Sequence, residues 1–233
     1  MHDPIAEEVL NKFDIRDEAR VRLKQFVEAV ESYPGNLVGW SHDALWQRGI
    51  ADSLALLPWV PRGGRALDIG SGAGFPGLVL QIVSPGVHWT LVESRSRRAI
   101  FLQETVDKLG IKHVKVILDR AEGWIRREAR EREAFDLVTL RAVAPTAVSL
   151  ELGLPFCAVG GRVAIFKSAR TGFLSAEETA LAEVLGGRVD EAVPGYAPDA
   201  TGQPDQILLI KKVSSTPAGY PRAPQHLGRA IKK

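Results

Sequence analysis

Leu67 through Gly77, reading Leu-Asp-Ile-Gly-Ser-Gly-Ala-Gly-Phe-Pro-Gly, holds the residues of this chain best suited to gripping a ligand. Gly70, Gly72 and Gly74 alternate after a short apolar run, Ala66 to Ile69. A helix-compatible segment follows (Leu78, Val79, Leu80, Ile82, Val83). Glycine permits a sharp strand-to-helix turn and lets a ligand lie against bare backbone. A tight core turn can use the same glycines, so the flanking elements carry the weight. Glu93 ends a second apolar run, Val87 to Val92. It lies roughly twenty residues past the glycines, the spacing at which a carboxylate can accept hydrogen bonds from ribose hydroxyls in a doubly wound fold.

Asp68 separates this turn from a dinucleotide fingerprint, which keeps the strand apolar there. The loop also runs G-x-G-x-G into Phe75-Pro76 rather than G-x-G-x-x-G. A pyrophosphate seeks bare amides at a helix N-terminus, and a carboxylate beside them repels it. S-adenosylmethionine carries an ammonium and a sulfonium, so Asp68 and the loop favour it over NAD. A nucleotide site or a purely structural turn are the alternatives.

The elements that must hold these residues divide near residue 60. Before it the spacing is helical: Ile5, Val9, Leu10 and Phe13, then Leu23, Phe26, Val27 and Val30, then Leu45, Trp46, Ile50, Leu54 and Leu57. Pro34-Gly35 and Pro58 act as stops. From Arg65 onward strands are expected at 65–69, 88–93, 113–118, 135–140 and 161–166, alternating with helices, which implies a mostly parallel sheet covered on both faces. Two further strands, 188–193 and 206–212, are separated only by a Pro/Gly-rich connection and should pair antiparallel. The expected class is α/β, a Rossmann-like methyltransferase-type sheet with one reversed strand. The expected division is a helical extension (1–60), a methyltransferase domain (61–213) and a basic extended tail (214–233).

Bulk properties set wider bounds. The chain has 233 residues, 45% of them hydrophobic, enough for a full core. A net charge of +2 does not announce a nucleic-acid binder. The lone cysteine, Cys157, excludes an internal disulfide framework and a multi-cysteine metal site; in its apolar setting it reads as core filler. His42 and His113 have no metal-ligand partners at useful spacing, so no metal is expected. No run reaches the length of a membrane span and the N-terminus is acidic, so a cytoplasmic location is expected.

Further chemistry lies at the other strand ends, where doubly wound sheets bind ligands. Asp119-Arg120-Ala121-Glu122 offers carboxylates and amides to an adenine edge; it is equally an acidic first turn of a helix. Arg141 and Lys167 follow the fourth and fifth strands, two cations at adjacent ends. Enzymes that methylate exocyclic amines commonly place Asp/Asn-Pro-Pro-aromatic after the fourth strand; here the residues are Arg141-Ala142-Val143-Ala144-Pro145. With no thiolate nucleophile, the acceptor needs neither covalent catalysis nor an amine clamp. Guanine N7 is such an acceptor: its in-plane lone pair carries no proton, so positioning and favourable fields can supply the rate. A small metabolite as acceptor, or an RNA-binding assembly protein with a vestigial donor pocket, are the rival readings.

The chain resembles the glucose-inhibited division protein B family, bacterial methyltransferases of guanine N7 in small-subunit (16S) ribosomal RNA. The resemblance runs through Asn36-Leu37-Val38, Arg48 to Ser53, Leu67 to Leu78, Val92-Glu93-Ser94, Arg120-Ala121-Glu122, Arg141 to Pro145, Gly160-Gly161-Arg162, Phe166-Lys167, and Thr216-Pro217 with Tyr220-Pro221-Arg222. It implies a seven-stranded class I S-adenosylmethionine-dependent fold behind a short helical N-terminal part. It places Gly70, Phe75, Ala121, Glu122 and Arg141 around the methyl donor and Lys167 near the RNA. A monomer acting on 16S rRNA or the small ribosomal subunit is expected. Two positions depart from the family pattern: Gly49 stands where a histidine is usual, and Ser168 where a glycine is usual. The first bears on RNA handling, and donor binding is expected to be unaffected by it.

Overall fold

The computed structural model describes residues 3–35, 37–168, 173–198 and 204–228. Asn36, part of the 194–204 connection and the last five residues of the tail lie outside them.

Seven strands form one sheet: β1 (Arg65–Ile69), β2 (His88–Glu93), β3 (Val114–Leu118), β4 (Phe135–Arg141), β5 (Cys157–Lys167), β6 (Gly187–Pro198) and β7 (Pro204–Lys212). Their order is β3-β2-β1-β4-β5-β7-β6. The pairs from β3 through β5 are parallel, and β7 runs antiparallel to both β5 and β6. Only five residues, 199–203, join β6 to β7, too few for a crossover helix, so the chain reverses. Observed β5 and β6 start earlier or run longer than their apolar stretches suggest, because ladder pairing continues past the buried residues.

Successive strand residues face opposite sides, and each side has its own core. Ala66, Leu91, Leu137, Ala164 and Leu209 join Phe26, Trp46, Leu78 and Phe101 on one face. Leu67, Val92, Val138, Val163 and Ile165 join Trp124, Phe135 and Phe156 on the other. The helices α5 (Gly77–Val83) and α6 (Ser96–Lys108) supply the first face; α7 (Ala121–Arg127), α8 (Thr146–Gly153) and α9 (Ala176–Val184) supply the second.

Before β1 come α1 (Pro4–Lys12), α2 (Asp17–Ser32), α3 (His42–Ala44), a π-helical segment (Leu45–Ala51) and α4 (Asp52–Leu54). Asp3 caps α1 by accepting from the Ala6 amide, with Pro4 at the first helical position. The apolar stripe Leu23, Phe26, Val27 and Val30 of α2 is buried in the first-face core, which therefore runs unbroken from these helices into the sheet. The π-helical turn is not visible as periodicity: it widens the helix by one residue per turn between Leu45 and Ala51, the kind of bulge that recurs beside functional sites. Polar links tie the same helices to β6: Tyr196 Oη donates to Glu8 at 2.7 Å and Trp59 Nε1 donates to Glu191 at 2.9 Å.

The segment after β7 is strapped down over the described residues instead of extending freely. Arg132 donates to the carbonyls of Thr216, Pro217 and Tyr220, and Arg126 to that of Arg222. Arg222 makes a forked pair with the fully buried Glu151, at 2.8 and 2.7 Å. Arg126 and Arg132 thus hold backbone rather than facing solvent alone. No described helix is long and apolar enough to cross a membrane.

Candidate active site

The carboxyl ends of β1 through β5 open on one side of the sheet, and the turn after β1 forms the floor there. Gly70, Gly72 and Gly74 all have positive φ, +69°, +57° and +100°, so the alternation of glycines is a backbone requirement. They do different work. A Cβ on Gly74 would press on Leu78 and Phe26, inside the core. One on Gly72 would meet nothing nearer than 3.7 Å and would project into the cleft. The Gly72 amide donates to Glu93 Oε2 at 2.9 Å, and the Arg95 amide donates to Oε1 at 2.8 Å. Those two bonds fix the Glu93 carboxylate, which is 4% exposed, against the turn. Each oxygen keeps a second acceptor site for a hydroxyl.

Asp68 requires a correction. It does not face a cationic ligand: its side chain is completely buried beneath the turn. Oδ1 accepts from Thr139 Oγ1 at 2.7 Å and Oδ2 from the Gly77 amide at 3.2 Å, so it braces β1 to β4 and to the start of α5. Burial pushes its carboxyl up to about 7, against the hydrogen bonds from Thr139 and Gly77. Gly77 is glycine because a Cβ there would lie 2.7 Å from that of Asp68.

Two cavities follow the strand ends. The larger, about 430 Å³, is lined by Gly70, Gly72, Phe75, Trp40, Arg95, Arg98 and Arg141, among others. The smaller, about 150 Å³, shares Gly70 and adds Ser94, Asp119, Ala121, Glu122, Val143 and Leu152. Its apolar walls and acceptor-bearing rim have the composition that an adenine ring with an exocyclic amine needs. Glu122, at the first turn of α7, is itself paired with Arg120 at 2.5 Å.

Arg141, the last residue of β4, is neither solvent-facing nor unpaired. Nη2 donates to Asp52 Oδ2 at 3.0 Å, and the guanidinium carbon lies 5.2 Å from the Trp40 ring centroid and 4.9 Å from that of Phe166. Nη1 is buried and has no hydrogen-bond partner among the described residues. An unsatisfied buried donor is costly, and here it belongs to a side chain on the wall of the larger cavity. Lys167, the last residue of β5, pairs by backbone register with Gln206, is 7% exposed and lines neither cavity. The structure thus gathers Gly70, Gly72, Phe75 and Arg141 at one cavity and Gly70, Ala121 and Glu122 at the other. Glu93 lies under the turn, and Gly74 and Lys167 stand back.

Trp40, Asp52, Arg95 and Arg98 were not singled out as site residues by sequence reasoning. Asp52 carried a signal: it falls among the apolar positions Ile50 and Leu54 of the third helical stretch, where a lone acid must find a buried partner. Cys157 is fully buried in the second-face core, and burial pushes its thiol up to about 12, so it is held as the neutral thiol.

A sheet of this order with one reversed strand, and a glycine turn and acid at its carboxyl edge, define a class I S-adenosylmethionine-dependent methyltransferase. TYW2 of M. jannaschii, solved in complex with AdoMet, shares the fold: TM-score 0.58 at 16% identity, covering 76% of this chain and 79% of that one. An rRNA methylase of Streptococcus thermophilus does so at TM-score 0.50 and 18% identity, covering 70% of this chain and 94% of that one. The family model GidB, described as rRNA small subunit methyltransferase G, matches residues 22–194. The protein named ribosomal RNA small subunit methyltransferase G is 44% identical in Roseiflexus castenholzii, over 76% of this chain and 74% of that protein. In Lachnoclostridium phytofermentans the protein of that name is 37% identical, over 86% of this chain and 87% of that protein. The chain belongs to this family.

Proposed function

We propose that this protein transfers the methyl group of S-adenosylmethionine to N7 of a guanine in 16S ribosomal RNA, acting as a cytoplasmic monomer on naked rRNA or the small ribosomal subunit. Membership of the family supports the reaction. The observation that carries the donor site is the turn after β1, with the open side-chain position of Gly72, the buried Glu93 that accepts from the Gly72 amide, and the unsatisfied Nη1 of Arg141 on the same cavity wall.

The residues fit the donor part by part. Glu93 accepts from ribose hydroxyls, as its place at the end of β2 suits. Ala121, Glu122 and Asp119 border the adenine cavity. Gly70 and Gly72 admit the methionine portion against backbone, and Arg95 and Arg98 stand where its carboxylate needs a counter-charge. When bound, S-adenosylmethionine supplies an electrophilic methyl on a sulfonium, which the N7 lone pair takes in line as the thioether leaves. No proton has to be removed, so the protein's work is to exclude water and align two partners. Phe75, buried against Phe26 with ring centroids 5.2 Å apart, gives the cavity an apolar wall. Arg141 Nη1 is placed to hold an acceptor atom of donor or base; Lys167, largely buried at the end of β5, has to turn outward to reach the RNA.

Small subunits from cells lacking the modification, incubated with the protein and methyl-labelled donor, test the reading. Label on one guanine, with chain scission there after borohydride and aniline treatment, is expected. Label on another base or another guanine atom overturns the N7 assignment. Light scattering on the free protein checks the monomer.

A further inference from the structure

A buried carboxylate from the N-terminal helices meets the end of β4 beside the larger cavity. Asp52, the first residue of α4, is 1% exposed in its side chain and reaches across from the N-terminal helices to the end of β4. Oδ2 accepts from Arg141 Nη2 at 3.0 Å and Oδ1 accepts from the Tyr196 amide of β6 at 2.6 Å. A second pair, Arg48 with Asp205 at 3.1 Å, lies close enough to act on the same guanidinium. Trp40 and Phe166 flank the guanidinium of Arg141, whose Nη1 is left without a partner.

An unneutralised guanidinium is a poor neighbour for what the cleft must hold. The donor brings a sulfonium, and guanine gains positive charge as N7 is methylated. Like charges several ångströms apart in a site partly withdrawn from water repel appreciably. Asp68 is poorly placed to offset this, because its carboxyl is buried beneath the turn and half protonated near neutrality. Asp52 is in direct contact with Arg141.

We propose that Asp52 is the counter-charge of the methyl-transfer cleft: it fixes Arg141 by one edge, leaves Nη1 available, and cancels the guanidinium charge so that a sulfonium can bind beside it. This makes Asp52 a positioning residue. The proposal rests on the donor reading above, and it separates two properties that a merely structural Asp52 would not. A brace affects every ligand of the cleft alike, whereas a counter-charge discriminates by ligand charge.

S-adenosylmethionine and S-adenosylhomocysteine differ by the methyl group and the positive charge, so calorimetry of the full chain with both reads this directly. Asp52→Asn keeps size and an acceptor but removes the charge. It is expected to weaken S-adenosylmethionine on the order of fivefold more than S-adenosylhomocysteine. Arg141→Gln is expected to shift the ratio the opposite way, toward the sulfonium, and decides the matter if Asp52→Asn does not fold. Equal loss for both ligands in Asp52→Asn, or an unmoved ratio in Arg141→Gln, overturns the counter-charge while leaving the donor site standing. Wild-type protein that binds neither ligand overturns the donor reading and the proposal together.

Discussion

The Cβ that Gly49 lacks would lie 2.8 Å from Cε1 of Phe75. Gly49 sits buried in the π-helical segment, and the Phe75 ring packs over it while touching Trp40 and Phe26. The position where the family pattern has a histidine is therefore buried against Phe75 of the glycine turn after β1, not on an open surface.

Gly49→Ala is accordingly expected to displace Phe75. Overpacking of this kind costs about 1–3 kcal/mol. Donor affinity should fall with it, since Phe75 lines the larger cavity. Thermal melting and donor titration check both; unchanged donor affinity would mean that Phe75 does not contact the ligand.

Gly72→Val should abolish donor binding and leave the protein folded. The side chain enters the cleft and not the core, and the φ of +57° adds a backbone cost of about 1–2 kcal/mol. Wild-type protein should bind S-adenosylmethionine and not NADH. Calorimetry with both ligands is the measurement, and comparable NADH binding would remove the methyl-donor assignment.

Lys167→Ala should spare donor affinity, because Lys167 lines neither cavity, and should slow methylation of small-subunit particles, as loss of a phosphate or base contact would. Single-turnover assays with donor titration separate the two effects. A wild-type rate would take Lys167 out of the RNA surface.

Cys157→Ser should leave turnover near wild type, since attack by N7 needs no thiolate and this thiol is held neutral. Burying a hydroxyl beside the Ala158 carbonyl costs about 1–3 kcal/mol in stability at most. A folded, donor-binding mutant without turnover would point to covalent catalysis.

Asp68 gives the fold a pH dependence of known sign. Its carboxyl titrates near 3.8 when unfolded and at about 7 when folded, so between those values the folded chain binds the extra proton. Its contribution to stability therefore falls as pH rises from about 4 to 7. Asp68→Asn should flatten that part of the profile, even with lower overall stability from the altered bonds to Thr139 and Gly77. Denaturant melts across this range, compared as mutant minus wild type, check it; parallel profiles would place Asp68 in a wetter site.

The sequence by itself determined what depends on local pattern. Alternation of apolar runs with helical stretches announced the sheet, because strand and helix periods are written in single residues. The glycines at 70, 72 and 74 announced their turn, because only glycine adopts those backbone angles cheaply. Glu93 was legible for the same reason: the spacing between two adjacent strand ends is set by one crossover. What only the tertiary structure decided concerns groups brought together from far along the chain. Asp68 looked available to a ligand because its neighbours in sequence line the turn, yet strand alternation buries it against Thr139, 71 residues away. Arg141 was legible as a cation at a strand end, but its partner was not, because Asp52 lies 89 residues before it on another element. The tail read as extended, and its docking was not legible, because the arginines that strap it belong to α7 and the loop after it. A charge pair costs desolvation that only its partner's exact placement repays, and that placement exists only once the helices have packed on the sheet.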